Sequence, residues 1–251
     1  MSRRKETGVF LENYDKGLEW LASNYLTHYD GESVVGESTT GHMQHPSSAQ
    51  RMGRDVPEAR LVFILRDPVE RIYSHYRFHR QSGRLTSNDR FSDLVRDEEG
   101  EWRRIHLDNG LYYKHLSRYN RHFDRTQMRI FFFRDLKDDA QALARQLYDF
   151  VGVDATFVPK VNREHNAGGM PRYETVYRAL QHLWKPIKKR TGIGVLDATQ
   201  SLRNHVRDWM TKDASNGNAM RPEDRAYLQN FYHDPNRQLE DWLDINLSHW
   251  T

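Results

Sequence analysis

The chain has 251 residues, 37% of them hydrophobic and 29% charged, with a formal net charge of +3 and no cysteine. That length fits one α/β domain able to bury a sizeable core. The absence of cysteine excludes disulfides, thiolate metal sites and cysteine nucleophiles. No apolar run approaches the ~18 residues that mark a membrane-spanning helix. The first residues, MSRRKETGVF, are basic but lack an apolar h-region, so they do not read as a secretory signal, and a cytoplasmic location is expected. A small positive charge suits an anionic ligand.

The predicted elements alternate. Tyr14–Tyr25 spaces Leu18, Leu21, Ala22 and Tyr25 as a helix does, and Ser33–Gly36 reads as a short strand ending at Glu37-Ser38-Thr39-Thr40. A helix over Pro46–Met52 leads into Leu61–Leu65, a short continuous apolar run that reads as a buried strand. Asp67 can cap the next helix, and Pro68 suits its first turn, where no backbone N–H is needed. Asn109–Phe123 is helical, Met128–Phe133 is a second apolar strand, and Asp138–Val151 is an amphipathic helix stopped at Gly152. Lys185–Gly194 and Lys212–Arg221 read as loops or lids, and Pro222–Ile245 as a closing helix. Strands alternating with helices predict a parallel, doubly wound sheet in a three-layer α/β/α arrangement.

The most informative stretch is Leu61–Tyr76, LVFILRDPVERIYSHY. It places Arg66 at the carboxyl end of a core strand and Ser74 about two turns into the following helix. Ligands of open α/β sheets bind off the carboxyl ends of strands, and a guanidinium with a hydroxyl makes a seat for phosphate. RDPVERIYSHY resembles the 3′-phosphate motif of sulfotransferases that use 3′-phosphoadenosine-5′-phosphosulfate (PAPS), nearest the heparan sulfate glucosaminyl and related bacterial enzymes. YDKGLEW, VVGESTT…HPSSAQRM, NGLYYKHLSRYNRHF, IFFFRDL, NREHNAGGMPR and the terminal RPEDRAYLQNFYHDPNRQLEDWL…LSHW resemble further segments of that family. The resemblance covers nearly the whole chain.

It implies a single P-loop-NTPase-like sulfotransferase domain over 1–251. It also implies in-line transfer of a sulfuryl group from PAPS to a hydroxyl or amine, leaving 3′-phosphoadenosine-5′-phosphate (PAP). Arg66 and Ser74 would hold the 3′-phosphate, with Tyr112 near the cofactor and Arg172 on the late glycine-rich loop. Lys5-Glu6-Thr7-Gly8-Val9-Phe10 resembles the segment carrying the family's glutamate base, which makes Glu6 the base and Lys5 a neighbouring cation. Glu37 and Ser38 stand where the heparan-type enzymes carry a Glu-Lys pair facing substrate. The glutamate matches and the lysine does not, which weakens a polysaccharide assignment; small molecules and glycans both remain open as acceptors.

The family's opening Pro-Lys-x-Gly-Thr-Thr loop, which cradles the 5′-phosphosulfate, is not found in this sequence. The expectation is therefore an N-terminally incomplete domain that binds nucleotide weakly and transfers poorly. The alternative is a non-catalytic nucleotide-binding or interaction protein of the same fold. A nucleic-acid-binding reading has scattered arginine–aromatic pairs in its favour but no motif, and no nucleic-acid partner is expected. His75 and His79 lie one turn apart, yet a zinc site needs a third ligand and no carboxylate or cysteine pattern supplies one, so no metal is expected. Oligomeric state is not legible.

Overall fold

The computed structural model describes residues 6–159 and 219–250. Its elements are α1 (Gly17–Tyr25), α2 (Ser48–Asp55), β1 (Leu61–Leu65), α3 (Pro68–Gln81), α4 (Phe91–Arg96), α5 (Glu101–Asp108), α6 (Tyr112–Tyr119), β2 (Met128–Phe132), α7 (Phe133–Asp138), α8 (Ala140–Val151) and α9 (Pro222–Leu243). No helix among the described residues is long and apolar enough to cross a membrane. The chain divides into two compact units. Of the described residues, the first unit takes 6–67, 111–159 and 232–250; the second takes 68–110 and 219–231.

In the first unit β1 and β2 pair in parallel, with Leu61 opposite Met128, Phe63 opposite Ile130 and Leu65 opposite Phe132. Strand side chains alternate between faces, so Phe63 and Leu65 enter the core while Val62 and Ile64 stay exposed. The core continues through Val9, Phe10, Met52, Leu116, Tyr119, Leu239 and Trp250. Tyr119 meets Phe63 edge-on at 5.2 Å, the geometry that suits two ring quadrupoles. Helix α8 starts where Asp139 accepts hydrogen bonds from the N–H groups of Gln141 (3.0 Å) and Ala142 (2.9 Å). It ends at Gly152, whose φ of 80° is the left-handed cap glycine tolerates best.

The sheet is smaller than expected: two strands among the described residues, in a largely helical chain. Ser33–Gly36 is not a strand. Its two valines are both exposed instead of alternating, and the segment after it hydrogen-bonds at single points to residues 6–8, not in a ladder.

The second unit packs α3 through Val69, Ile72 and Tyr76, spaced so that one helix face is buried. Phe91, Val95, Leu107 and Leu228 complete that core. Asp224, 1% exposed, accepts from Ser92 Oγ at 2.6 Å and pairs with Arg96. Arg225 pairs with Glu70 at 2.5 Å.

Candidate functional site

A polar network of the first unit joins residues 6–13 to residues 37–51. Glu6 and Gly8 both have positive φ, 59° and 63°. At Gly8 the positive φ disfavours any side chain, and a Cβ there would in addition displace the Glu12 carboxylate, 2.3 Å away. At Glu6 a left-handed backbone costs about 1–3 kcal/mol, the kind of outlier that tertiary structure must enforce. The enforcing contacts are present. The Glu6 N–H donates to the Ser38 carbonyl at 2.9 Å. The Thr40 N–H donates to Glu6 Oε2 at 3.1 Å, and Thr40 Oγ1 lies 3.2 and 3.3 Å from the two carboxylate oxygens. Further along, Arg51 donates to the Phe10 and Leu11 carbonyls at 3.0 and 2.9 Å, and Ser48 Oγ to the Phe10 carbonyl. Val9 and Phe10 are buried. The segment is thus docked at both backbone and side chain, while the Glu6 carboxylate stays exposed.

Glu37 anchors the other half. Its Oε1 accepts from Thr7 Oγ1 at 2.6 Å and from Thr39 Oγ1. Its Oε2 lies 3.4 Å from His42 Nδ1. Thr39 Oγ1 in turn accepts from the Gly8 N–H at 3.2 Å. Glu37 therefore knits the two segments together. Burial holds the His42 imidazole below its ordinary range, opposed by the charges of Glu37, Glu6 and Glu12. The neutral ring packs edge-on to Phe10 at 5.6 Å.

At the carboxyl end of β1, the Arg66 carbonyl accepts from Tyr112 Oη at 2.7 Å. The Arg66 guanidinium lies 5.1 Å from the centroid of the Phe133 ring. Tyr112 is buried, 3% exposed, and packs edge-on against Trp250 at 6.0 Å. It braces the strand end that carries Arg66. Ser74 sits on α3, in the second unit, and is half-buried.

The structure thus brings Glu6, Glu37 and Ser38 together in one network, and separately joins Tyr112 to Arg66. Lys5, Arg172 and the residues around Arg172 lie outside the described residues, as does the loop predicted over 185–194. Thr7, Thr39 and Thr40 were not singled out by the sequence reading as partners of the two glutamates. Their signal was present in ESTT and KETG, where hydroxyls flank each acid, but such residues equally cap turns.

Residues 17–242 match the family model described as a sulfotransferase domain. The chain belongs to that sulfotransferase family. Glu6 precedes the matched residues, so its assignment rests on the network above and on local resemblance. A membrane-associated sulfotransferase of Dictyostelium discoideum is 35% identical over 77 residues, covering 30% of this chain and 16% of the relative. A bifunctional heparan sulfate N-deacetylase/N-sulfotransferase of Caenorhabditis elegans is 29% identical, over 47% of this chain and 14% of its own length. The human heparan sulfate glucosamine 3-O-sulfotransferase 3B1 is 27% identical over 66% of this chain and 43% of its own. The chain thus spans less than half the length of these curated relatives. A crystal structure of a sulfotransferase from Alicyclobacillus acidocaldarius superposes with a TM-score of 0.68 at 22% identity, covering 99% of this chain and 87% of that one. That likeness is of fold, and the chain has the sulfotransferase fold.

Proposed function

We propose that this sulfotransferase-family chain moves a sulfuryl group from PAPS to a hydroxyl or amine, with Glu6 as the base. The observation that carries the reading is the fixed, exposed Glu6 carboxylate, held on a left-handed backbone by Thr40 and the Ser38 carbonyl. A base must sit within hydrogen-bond reach of the proton it removes, and a fixed carboxylate open to solvent meets that need for an incoming acceptor. Two of the curated relatives named above are, by their names, a heparan sulfate N-sulfotransferase and a heparan sulfate glucosamine 3-O-sulfotransferase. A glycan is therefore one acceptor class to test, beside small hydroxylated or amino compounds. The absence of a lysine at Ser38 argues for including acceptors that carry no negative charge.

When bound, PAPS supplies the sulfuryl group and a phosphate leaving group. By resemblance of the RDPVERIYSHY motif, Arg66 would offer its 3′-phosphate a planar cation and Ser74 a hydroxyl. Tyr112 positions the Arg66 backbone by its hydrogen bond. Lys5 and Arg172 are proposed, by resemblance, as further cations of the site. Glu37 acts through position, fixing Thr7 and Thr39 around the Glu6 turn. The three-layer, P-loop-NTPase-like form belongs to the same proposal.

The test has two arms. Thermal unfolding with PAP at about 100 times its dissociation constant should stabilise the chain by about 2.7 kcal/mol. Arg66→Ala should remove most of that shift. Radiolabelled transfer from PAPS to a panel of glycan and small-molecule acceptors should then find at least one that turns over. PAP binding without transfer to any acceptor would favour the non-catalytic nucleotide-binding alternative. No PAP binding by a folded chain would overturn both readings.

A further inference from the structure

The second unit contains a cluster that sulfuryl transfer does not use. His75 and His79 stand one turn apart on α3, and His106 comes from α5. Each can offer one ring nitrogen, and the three nitrogens lie within 4.8 Å of one another. The ring centroids are 5.0 Å apart for His79 and His106, 5.3 Å for His75 and His106, and 5.9 Å for His75 and His79. The missing third ligand of the sequence reading is therefore supplied by tertiary structure, from 27 residues beyond His79.

A second, independent observation points to a ligand. His106 is buried, 7% exposed, and its Nδ1 has no hydrogen-bond partner. Leaving such a buried polar atom unmet costs about 1–3 kcal/mol. The Trp102 ring covers His106 at 4.5 Å between centroids and closes the cluster on that side. The Arg71 guanidinium donates to the His106 carbonyl, which fixes the backbone that carries the ring. Burial first, and then the Arg71 charge, hold His75 at about 4. Burial first, and then the neighbouring imidazoles, hold His106 at about 3. Burial and then Arg84 lower His79 as well.

We propose that His75, His79 and His106 form a three-imidazole site for one borderline divalent cation, Zn²⁺ foremost, with a fourth position open to water or an anion. Imidazole suits zinc, and three protein ligands with an open fourth position is an established zinc geometry. Zinc–nitrogen bonds of about 2.0–2.1 Å place tetrahedral ligand atoms roughly 3.4 Å apart. The cluster closes to that spacing by side-chain rotation, most readily at His75, whose ring keeps an exposed edge. Arg71 and Arg84 oppose the cation and favour an anion in the fourth position.

The test uses the chain without an affinity tag, stripped of metal with a chelator. Titration with ZnCl₂ alone, followed by calorimetry and thermal unfolding, should show one ion bound per chain and a raised melting temperature. Co²⁺ should produce the intense visible bands of a four-coordinate site. His75→Ala and His106→Phe should each weaken Zn²⁺ binding by at least about 10-fold, the smallest loss typical even of outer-shell partners. Should His106→Phe fail to fold, His75→Ala decides, since that side chain is exposed. No stoichiometric binding, or binding that persists in folded His75→Ala, would overturn the site and assign any bound ion to others of the 13 histidines.

Discussion

Glu37 in the first unit and His106 in the second are both largely sequestered polar side chains, at 14% exposure for the carboxylate and 7% for the histidine. They are treated in opposite ways. Glu37 Oε1 accepts from Thr7 and Thr39, and Oε2 faces His42 Nδ1 at 3.4 Å. His106 keeps an unmet Nδ1 among two other imidazoles. The Glu37 carboxylate takes its hydrogen bonds from the chain itself, and its value lies in what it positions, here the exposed Glu6; beside it His42 Nε2, like His106 Nδ1, is buried without a hydrogen-bond partner. The contrast is therefore between a carboxylate held by neighbouring hydroxyls and an imidazole that keeps a nitrogen among two further imidazoles, where a ligand can supply the partner.

The sharpest way to break the first half of the comparison is at Glu6. Glu6→Gln keeps the shape and the Thr40 contacts but removes the base. Transfer should fall by about 10²–10⁴-fold, the usual worth of general base catalysis. PAP stabilisation of the folded chain should be unchanged, and a loss of both together would mean that Glu6 is structural.

A smaller effect is expected at Thr39. Thr39→Val keeps the volume but removes a hydroxyl that donates to a charged acceptor, and should cost about 1.5–3 kcal/mol in chemical denaturation. Loss of the Gly8 anchor on the same hydroxyl should also lower turnover by loosening the Glu6 turn. The matching change in the second unit is His106→Phe without metal. It keeps an aromatic ring beside Trp102 and removes both ring nitrogens, of which Nδ1 is unmet, so apo stability should move by less than about 1.5 kcal/mol. A larger loss would show that the His106 nitrogens are already satisfied, against the contrast drawn above.

The smallest effect is a pH slope. His42 is held below its ordinary value in the folded chain, so between that ordinary value of about 6.5 and its folded value the unfolded chain binds more protons. Its contribution is therefore intact above about pH 6.5 and is lost as pH falls through the folded value. In His42→Phe, which cannot titrate, the melting temperature should decline less between pH 6.5 and 5. An unaltered slope would mean that Glu37 cancels the burial of the ring.

Much of this was legible beforehand, because much of it is local. An apolar pentapeptide followed by Asp-Pro dictates strand, cap and helix within a few residues, and Leu61–Leu65 and α3 follow that reading. Asp139 and Gly152 mark the ends of α8 by cap chemistry that needs no distant partner. The strand predicted at Ser33–Gly36 failed because a strand is defined by its partner, and Val34 and Val35 have no ladder to join.

The candidate sites divide along the same line. The sequence by itself determined the family motif, the position of Arg66 at a strand end and the His75–His79 pair, since each rests on neighbours within about two helical turns. Only the tertiary structure decided that Glu6 is docked instead of frayed, that Glu37 binds two threonines, that Tyr112 bonds the Arg66 carbonyl and that His106 completes a triad. Apart from the local Glu37–Thr39 bond, those contacts join residues 27 to 46 positions apart. Sequence periodicity reports which face of an element is apolar, but not which distant polar atom will meet it once the core has closed.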